Sequence, residues 1–130
     1  MNIPKELKYT KTHEWIKIEG ASARVGITDH AQHEISDVVH LELPETGREL
    51  KKGDTAAVVE SVKAAFDIYS PVSGAVSNVN DEALNAPEKI NSDPYGAGWL
   101  FELKSGSLNA DTADLMDAKG YEEYLSKKAD

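Results

Sequence analysis

The sequence predicts a mainly β protein, a small sandwich or barrel of short antiparallel strands. Short runs of apolar and β-branched residues recur along the chain, and each run ends at a turn signal rich in Gly, Pro or Asp. Strands at this spacing favour a sandwich or barrel over a parallel sheet. The length of 130 residues and the hydrophobic content of 40% suit one compact domain over residues 1–130.

Strand signals are alternating or β-branched runs bounded by turns. They predict strands over residues 14–18, 23–27, 38–43, 55–61, 66–70, 75–79 and 99–104. In the third of these runs, Val39, Leu41 and Leu43 alternate with His40 and Glu42. The three apolar side chains are therefore expected to share the core-facing side of that strand. In the last run, the candidates for the inward face are Trp99, Phe101 and Leu103, or else the alternate set.

Helical signals are fewer. Residues 28–36 predict a short helix capped by Asp29, with a glutamine three residues later completing a capping box. Residues 81–91 predict a helix or an irregular loop. The segment from residue 111 onward predicts a C-terminal helix that is broken at Gly120.

Composition excludes several function classes. The chain has 14 Lys and Arg against 23 Asp and Glu, for a net charge of −9, which argues against nucleic acid or an anionic membrane as partner. The acidity fits basic protein partners or simply solubility, and charge alone favours solubility. The absence of cysteine excludes disulfides, cysteine-ligated metals and thiol catalysis by the protein itself. No signal peptide or membrane-length apolar run is present, so we expect an intracellular, cytoplasmic protein, or a mitochondrial matrix protein if the source is eukaryotic and the chain is mature.

One lysine has an unusual setting, in the stretch VVESVKAAFDIYSPVSG. Lys63 is predicted at the tip of a hairpin between two of the strands, with Glu60 and Asp67 flanking it. These carboxylates favour the charged ammonium, so Lys63 is a poor Schiff-base nucleophile. The small Ala64 leaves the lysine open to a modifying enzyme. Spacing alone still favours an ordinary solvated turn lysine.

The segment ESVKAAFDIYSPVSG resembles the lipoyl-attachment segment of the glycine cleavage H-protein family. The segments KYTKTHEW, VGITDHAQHEISDVV, LPETGREL and NAPEKINSDPYGAGWLFELK resemble the same family in order and spacing. Generic lipoyl domains and biotin carriers share the hairpin-tip lysine but lack THEW and GITDHAQ. The resemblance implies a flattened barrel-sandwich hybrid, a lipoyl/biotinyl-type hairpin carrier, with a short helix near residues 29–36 and a C-terminal helix.

By this resemblance the protein is a monomeric carrier and not an enzyme, with lipoic acid in amide linkage on Lys63. A PLP-dependent glycine decarboxylase loads the aminomethyl group of glycine onto the arm, and a tetrahydrofolate-dependent aminomethyltransferase removes it. A flavin enzyme, dihydrolipoyl dehydrogenase, then reoxidises the dithiol. Lipoylating enzymes recognise the tip through Glu60, Ser61 and Ala64.

The resemblance also implies that the loaded arm folds back into a surface cleft. The implied cleft residues are Glu14, Asp67, Thr12 and His30. The plain alternative for Glu14 is a solvated strand residue. One position departs from the family, since Phe66 stands where Ser or Thr is common; a ring facing the cleft would alter docking of the arm, and a ring facing the core would not.

Three other functions remain open from the sequence. The first is a lipoate-relay protein of the same fold that hands lipoyl groups to other acceptors. The second is an enzyme that uses Lys63 covalently, which lacks a partner base, and the third is an unmodified interaction module. His30 and His33 could share a metal only with a third ligand, which the spacing does not offer, and sequence cannot join His13 or His40 to them.

Overall fold

The computed structural model describes residues 1–128. The strands are β1 (Lys8–Tyr9), β2 (Glu14–Glu19), β3 (Ser22–Ile27), β4 (Val38–Glu42), β5 (Glu49–Leu50), β6 (Thr55–Ser61), β7 (Ala65–Tyr69), β8 (Gly74–Val79) and β9 (Phe101–Lys104). The helices are α1 (Asp29–Ile35), α2 (Asp81–Asn85), α3 (Lys89–Ser92), α4 (Leu108–Asp111) and α5 (Ala118–Lys128). No helix among these residues is long and apolar enough to cross a membrane.

The strands form two antiparallel sheets, as the sequence predicts. The larger sheet has the order β1-β2-β3-β9-β8-β5, and the smaller has the order β4-β6-β7. The predicted hairpin of β2 and β3 turns at Gly20, whose φ of 60° is open to glycine without strain. The predicted strand at residues 55–61 matches β6 at both ends.

The main core lies between the two sheets. The side chains of Val25, Val59, Phe101 and Leu103 are fully buried there. Burial of one such side chain stabilises the folded state by about 1.5–3 kcal/mol. The inward face predicted through Phe101 and Leu103 is therefore confirmed, while Trp99 lies before β9 begins and is only partly buried.

A second apolar cluster packs α5 against the larger sheet. The rings of Tyr9 and Tyr121 stack at 4.7 Å with an interplanar angle of 9°. Trp15 is buried beside them, and its ring covers Gly26 on the paired strand. A Cβ at Gly26 would lie 2.6 Å from that ring, so only glycine leaves room for the tryptophan.

The cap predicted for α1 is wrong by one residue. Thr28 is the N-cap, and its hydroxyl accepts from the amide of Ala31 at 3.1 Å. Asp29 is the first helical residue, and its carboxylate accepts from the amide of Asn2 and the side-chain amide of Gln32. Threonine and aspartate are both common N-cap residues. Here the carboxylate of Asp29 is engaged by the amide of Asn2, and Thr28 takes the cap position.

The alternation predicted for residues 38–43 is wrong at its start. Val39 is 53% exposed, whereas Val38 is buried. The pairing of β4 with β6 shifts register between Val38 and His40, which marks a bulge. A bulge adds one residue to one strand and turns the preceding side chain to the other face. Leu41 lies beyond the bulge and is buried as predicted.

The C-terminal helical prediction is wrong over residues 112–117. There the chain leaves α4 and forms a bridge from Met116 to Tyr9 before α5 begins. Gly120 does not break the helix. It lies in the first turn of α5, and its amide donates to the carboxylate of Asp117 at 2.8 Å.

Candidate functional site

Lys63 lies in the bend that joins β6 to β7, and its side chain is exposed. The hydroxyl oxygen of Ser61 accepts from the amides of Lys63 at 3.3 Å and Ala64 at 3.2 Å. The amide of Ser61 donates to the carbonyl of Ala64 at 2.9 Å. These contacts fix the bend, so the backbone of Lys63 has a defined position while its side chain extends into solvent.

A groove begins at this bend and runs along α1. Its first part is a cavity of about 320 Å³ lined by residues 61–64 and by the end of α1. Its second part is a cavity of about 380 Å³ that shares Glu34, Ile35 and Phe66 with the first. We call the two together the cleft. The polar residues of the second part are Thr12, His13, His30, Glu34 and Asp67.

Phe66 lines both parts of the cleft and is 37% exposed. Its ring therefore faces the cleft and not the core. The buried side chains of Ile27, Ile35 and Ile68 form the floor of the second part. The cleft thus combines apolar walls with a few polar groups at its rim.

Glu14 lies behind Thr12 and is only 1% exposed. Its Oε1 accepts from the hydroxyls of Thr10 at 2.6 Å and Thr12 at 2.5 Å, and its Oε2 accepts from the amide of Tyr69 at 3.2 Å. Burial raises the pKa of Glu14, and these hydrogen bonds oppose the rise. The alternative of a solvated strand residue is therefore wrong. Glu14 lines a neighbouring cavity of about 340 Å³, which shares Thr12 with the cleft.

Two histidines that sequence could not join meet at the cleft. The imidazoles of His13 and His30 lie 4.6 Å apart between ring centroids. Nε2 of His30 lies 3.3 Å from the carboxylate of Glu34, one turn further along α1. His33 and His40 are not among the residues that line the cleft. Within residues 1–128, no group of three or more His, Cys, Asp or Glu side chains could hold a metal ion.

The structure brings Thr12, His30 and Asp67 into one cleft, and Glu14 reaches it through Thr12. The other predicted residues lie at the hairpin end. Ser61, Lys63 and Ala64 line the first part of the cleft, whereas Glu60 precedes them on β6. Sequence reasoning missed His13 and Glu34 as cleft residues. His13 belongs to the THEW motif, which was a signal for the site. Glu34 follows His30 by four residues on a helix, a spacing that places the two side chains on one face.

Two small antiparallel sheets with an exposed lysine on the bend between β6 and β7 are the architecture of a hairpin carrier domain. The model of the glycine cleavage H-protein family matches residues 7–128. The chain belongs to the glycine cleavage H-protein family, whose members are the lipoyl carriers of the glycine cleavage system.

Curated relatives match almost end to end. The chain is 58% identical over 125 residues to the glycine cleavage system H protein of Endomicrobium trichonymphae, covering 96% of this chain and 100% of that protein. It is 53% identical over 129 residues to the protein of the same name from Thermus thermophilus, covering 99% and 100%. A crystal structure of a glycine cleavage system H protein from Mycobacterium marinum matches with a TM-score of 0.84 at 37% identity, covering 98% of this chain and 99% of that one. The predicted family and the predicted barrel-sandwich fold are thereby confirmed.

Proposed function

We propose that this protein is the shuttle of a glycine cleavage system and that Lys63 bears its lipoyl group. The observation that carries the proposal is the exposed lysine on a bend braced by Ser61, with a cleft starting beside it. The protein has no active site of its own in this proposal. It acts as a non-catalytic monomer that presents one arm to several enzymes in turn.

The residues present fit lipoic acid in amide linkage. The side chain of Lys63 is exposed, and Val62 before it is 84% exposed, so an enzyme that forms the amide can reach the nitrogen. The small Ala64 adds little bulk on the other side. Glu60, Ser61 and Ala64 surround the lysine on the bend and are the features that we assign to recognition by lipoylating enzymes.

Lys63 would hold the lipoyl group, whose disulfide would supply the sulfur that accepts the aminomethyl group from a PLP-dependent decarboxylase; after transfer to an aminomethyltransferase, the remaining dithiol would be reoxidised by dihydrolipoyl dehydrogenase. The residues of this chain place that group. Ser61 fixes the pivot, and the cleft offers the returning arm a shielded path from Lys63 towards Asp67. Two adjoining cavities along one helix supply the length of that path.

The polar groups of the cleft suit a cationic amine. The carboxylate of Asp67 is exposed at the rim and attracts an ammonium group. Thr12 is also exposed, and its hydroxyl links the rim to the buried carboxylate of Glu14. The ring of Phe66 and the isoleucine floor exclude water. His30 lines the same cavity and is a further polar group for the arm.

The test is the site of acylation. The protein is incubated with a lipoate ligase and lipoate, and the product is mapped by mass spectrometry. Lys63→Arg keeps the positive charge but cannot form the amide, so it should remain unmodified. Lys17→Arg, which changes an exposed strand lysine on β2, is the matched control and should be modified like the wild type. Modification of Lys63→Arg at the wild-type level would refute the proposal.

A further inference from the structure

One buried hydroxyl outside the cleft contacts two elements that carry cleft residues. Tyr121 lies on α5, is fully buried, and does not line the cleft. Its hydroxyl lies 2.8 Å from Nδ1 of His13 and 2.8 Å from the hydroxyl of Thr28. The two partners belong to different elements, the turn before β2 and the start of α1, so a single oxygen ties them together.

The first partner, His13, has a strained backbone that the contact with Tyr121 stabilises. His13 has a φ of 71°, in the left-handed region that non-glycine residues adopt at a cost. This turn sets the directions of its two neighbours, Thr12 and Glu14, whose side chains meet at 2.5 Å. The His13 ring also contacts the ring of His30, another residue that lines the cleft. A contact that holds His13 therefore holds the turn from which the polar rim is built.

The second partner controls α1. Thr28 is its N-cap and is fully buried. Because its oxygen accepts from the amide of Ala31, its hydroxyl hydrogen is available for the oxygen of Tyr121. Tyr121 can then donate its own hydrogen to His13. Burial raises the pKa of Tyr121, so the hydroxyl keeps the proton that this chain of hydrogen bonds requires.

We infer that the hydroxyl of Tyr121 is a positioning group for the cleft, holding the His13 turn and the start of α1 in register with each other. The inference rests on the proposed function in assigning the cleft to the returning arm. Tyr121 does not touch the arm in this scheme. It acts through His13 and Thr28 on the turn and the helix that carry the cleft residues His13 and His30.

The chain offers a matched pair of variants. Tyr121→Phe and Tyr9→Phe each remove one hydroxyl from the same stacked pair of buried rings. The hydroxyl of Tyr9 binds the carbonyl of Pro4 and contacts neither His13 nor Thr28. A general loss of packing or stability would appear in both variants. A loss of positioning would appear only in Tyr121→Phe.

The first measurement uses the lipoylated full chain without partner enzymes. In Tyr121→Phe, NMR should show shifted imidazole nitrogen signals of His13 and His30 and faster hydrogen exchange at the amide of Ala31. Tyr9→Phe should keep the wild-type signals. If Tyr121→Phe keeps them as well, or if both variants change alike, the positioning role is overturned.

The second measurement is the spontaneous loss of the aminomethyl group from the loaded protein. We expect a rate about fivefold higher in Tyr121→Phe than in wild type, equivalent to ~1 kcal/mol, and no change in Tyr9→Phe. Thr28→Ser should behave as wild type because it keeps the hydroxyl, whereas Thr28→Val should release the group at least as fast as Tyr121→Phe because it also removes the cap on the amide of Ala31. Equal rates in Tyr121→Phe and wild type overturn the inference. Failure of the proposed function would be seen separately, as an unmodified Lys63.

Discussion

The hydroxyl of Thr12 donates to Oε1 of Glu14 across 2.5 Å, at the boundary between the cleft and the buried interior. The other oxygen of Glu14 accepts from the amide of Tyr69 on β7. Glu14 lies in the larger sheet and Tyr69 in the smaller, so one carboxylate joins the two sheets. Its position makes Glu14 both a structural link between the sheets and a buried carboxyl group beside the rim of the cleft.

Substitution of Asp67 in the cleft or of Glu14 behind it should shorten the life of the carried aminomethyl group. A charge-assisted hydrogen bond contributes about 1.5–3 kcal/mol, and Glu14→Ala removes the carboxylate that holds the Thr12 hydroxyl at the rim of the cleft, so it should raise the spontaneous release of formaldehyde and ammonia by about tenfold or more. Asp67→Ala should have a similar or smaller effect, since Asp67 is exposed at the rim. Loading by the decarboxylase should suffer less, because the arm is then in the partner's site.

Glu19→Ala is the control for these variants, because Glu19 is an exposed carboxylate at the far end of the same strand. It should release the group at the wild-type rate. Wild-type release from the double variant of Glu14 and Asp67 would mean that the carboxylates do not guard the group, and that shielding depends on the apolar walls.

The buried state of Glu14 predicts a pH dependence of stability. A carboxyl whose folded pKa is raised binds its proton more tightly in the folded state, so its contribution falls as pH rises through the folded pKa. The free energy of unfolding of wild type relative to Glu14→Gln should therefore fall as pH rises from the ordinary value of 4.5 to the raised value. Urea denaturation across this window measures it. A difference that grows with pH would show that the hydrogen bonds from Thr10 and Thr12 outweigh burial.

Removal of the Phe66 ring should open the cleft. Its ring lines both parts of the cleft, so Phe66→Ser exposes the floor and should speed loss of the aminomethyl group several-fold. Ile18→Ser is the matched control, because Ile18 is 39% exposed against 37% for Phe66 but lies away from the cleft. Release is followed by formaldehyde trapping. Slower release from Phe66→Ser would mean that the ring obstructs docking of the arm.

The packing of Trp15 on Gly26 predicts a sharp steric limit. Gly26→Ala places a methyl group 2.6 Å from the indole, which is buried and donates to the carbonyl of Pro94. Overpacking of this kind costs about 1–3 kcal/mol of the free energy of unfolding. Gly106→Ala, where nothing lies within 4 Å of the added carbon, should change stability little. Equal unfolding midpoints for the two variants would contradict this account.

Acidic charge should steer the partner enzymes. The net charge is −9, and Glu34 and Asp37 line the part of the cleft beside Lys63. Transfer rates should fall between low and physiological ionic strength when the carrier is limiting, since salt screens exposed charges. Asp37→Asn should weaken this salt dependence. A rate that is constant over the range would show that docking is mainly apolar.

The hairpin was predictable because its signals are local. The strand over residues 55–61 and the bend at Lys63 follow from a β-branched run between turns, and the structure confirms both. Val39 was not predictable from alternation, because the bulge that exposes it arises in the pairing with β6. The cap at Thr28 was missed for a similar reason, since Asp29 is engaged by the N-terminal Asn2.

The cleft depends on contacts between distant parts of the chain. The ring of His13 contacts the ring of His30, and Tyr121 contacts Thr28 from a helix 93 residues further along. No periodicity in the sequence encodes these distances. The burial of Glu14 was not predictable either. A glutamate at the first position of a strand is usually solvated, and only the structure shows that Thr10 and Thr12 cover it.

The hydrogen bonds of Ser61 fix the backbone at Lys63, the proposed anchor of the arm, and this has a kinetic consequence. A tethered arm meets the cleft at an effective concentration set by its anchor and length, however dilute the protein is. The cleft therefore competes, within one molecule, with the active site of every enzyme that must receive the arm. Each ~1.4 kcal/mol of tighter docking would reduce the undocked fraction about tenfold. A variant whose cleft bound the loaded arm more tightly would protect the aminomethyl group better, but it would also transfer that group to the next enzyme more slowly in the same proportion. Selection on such a carrier therefore favours an intermediate affinity of the cleft for the arm.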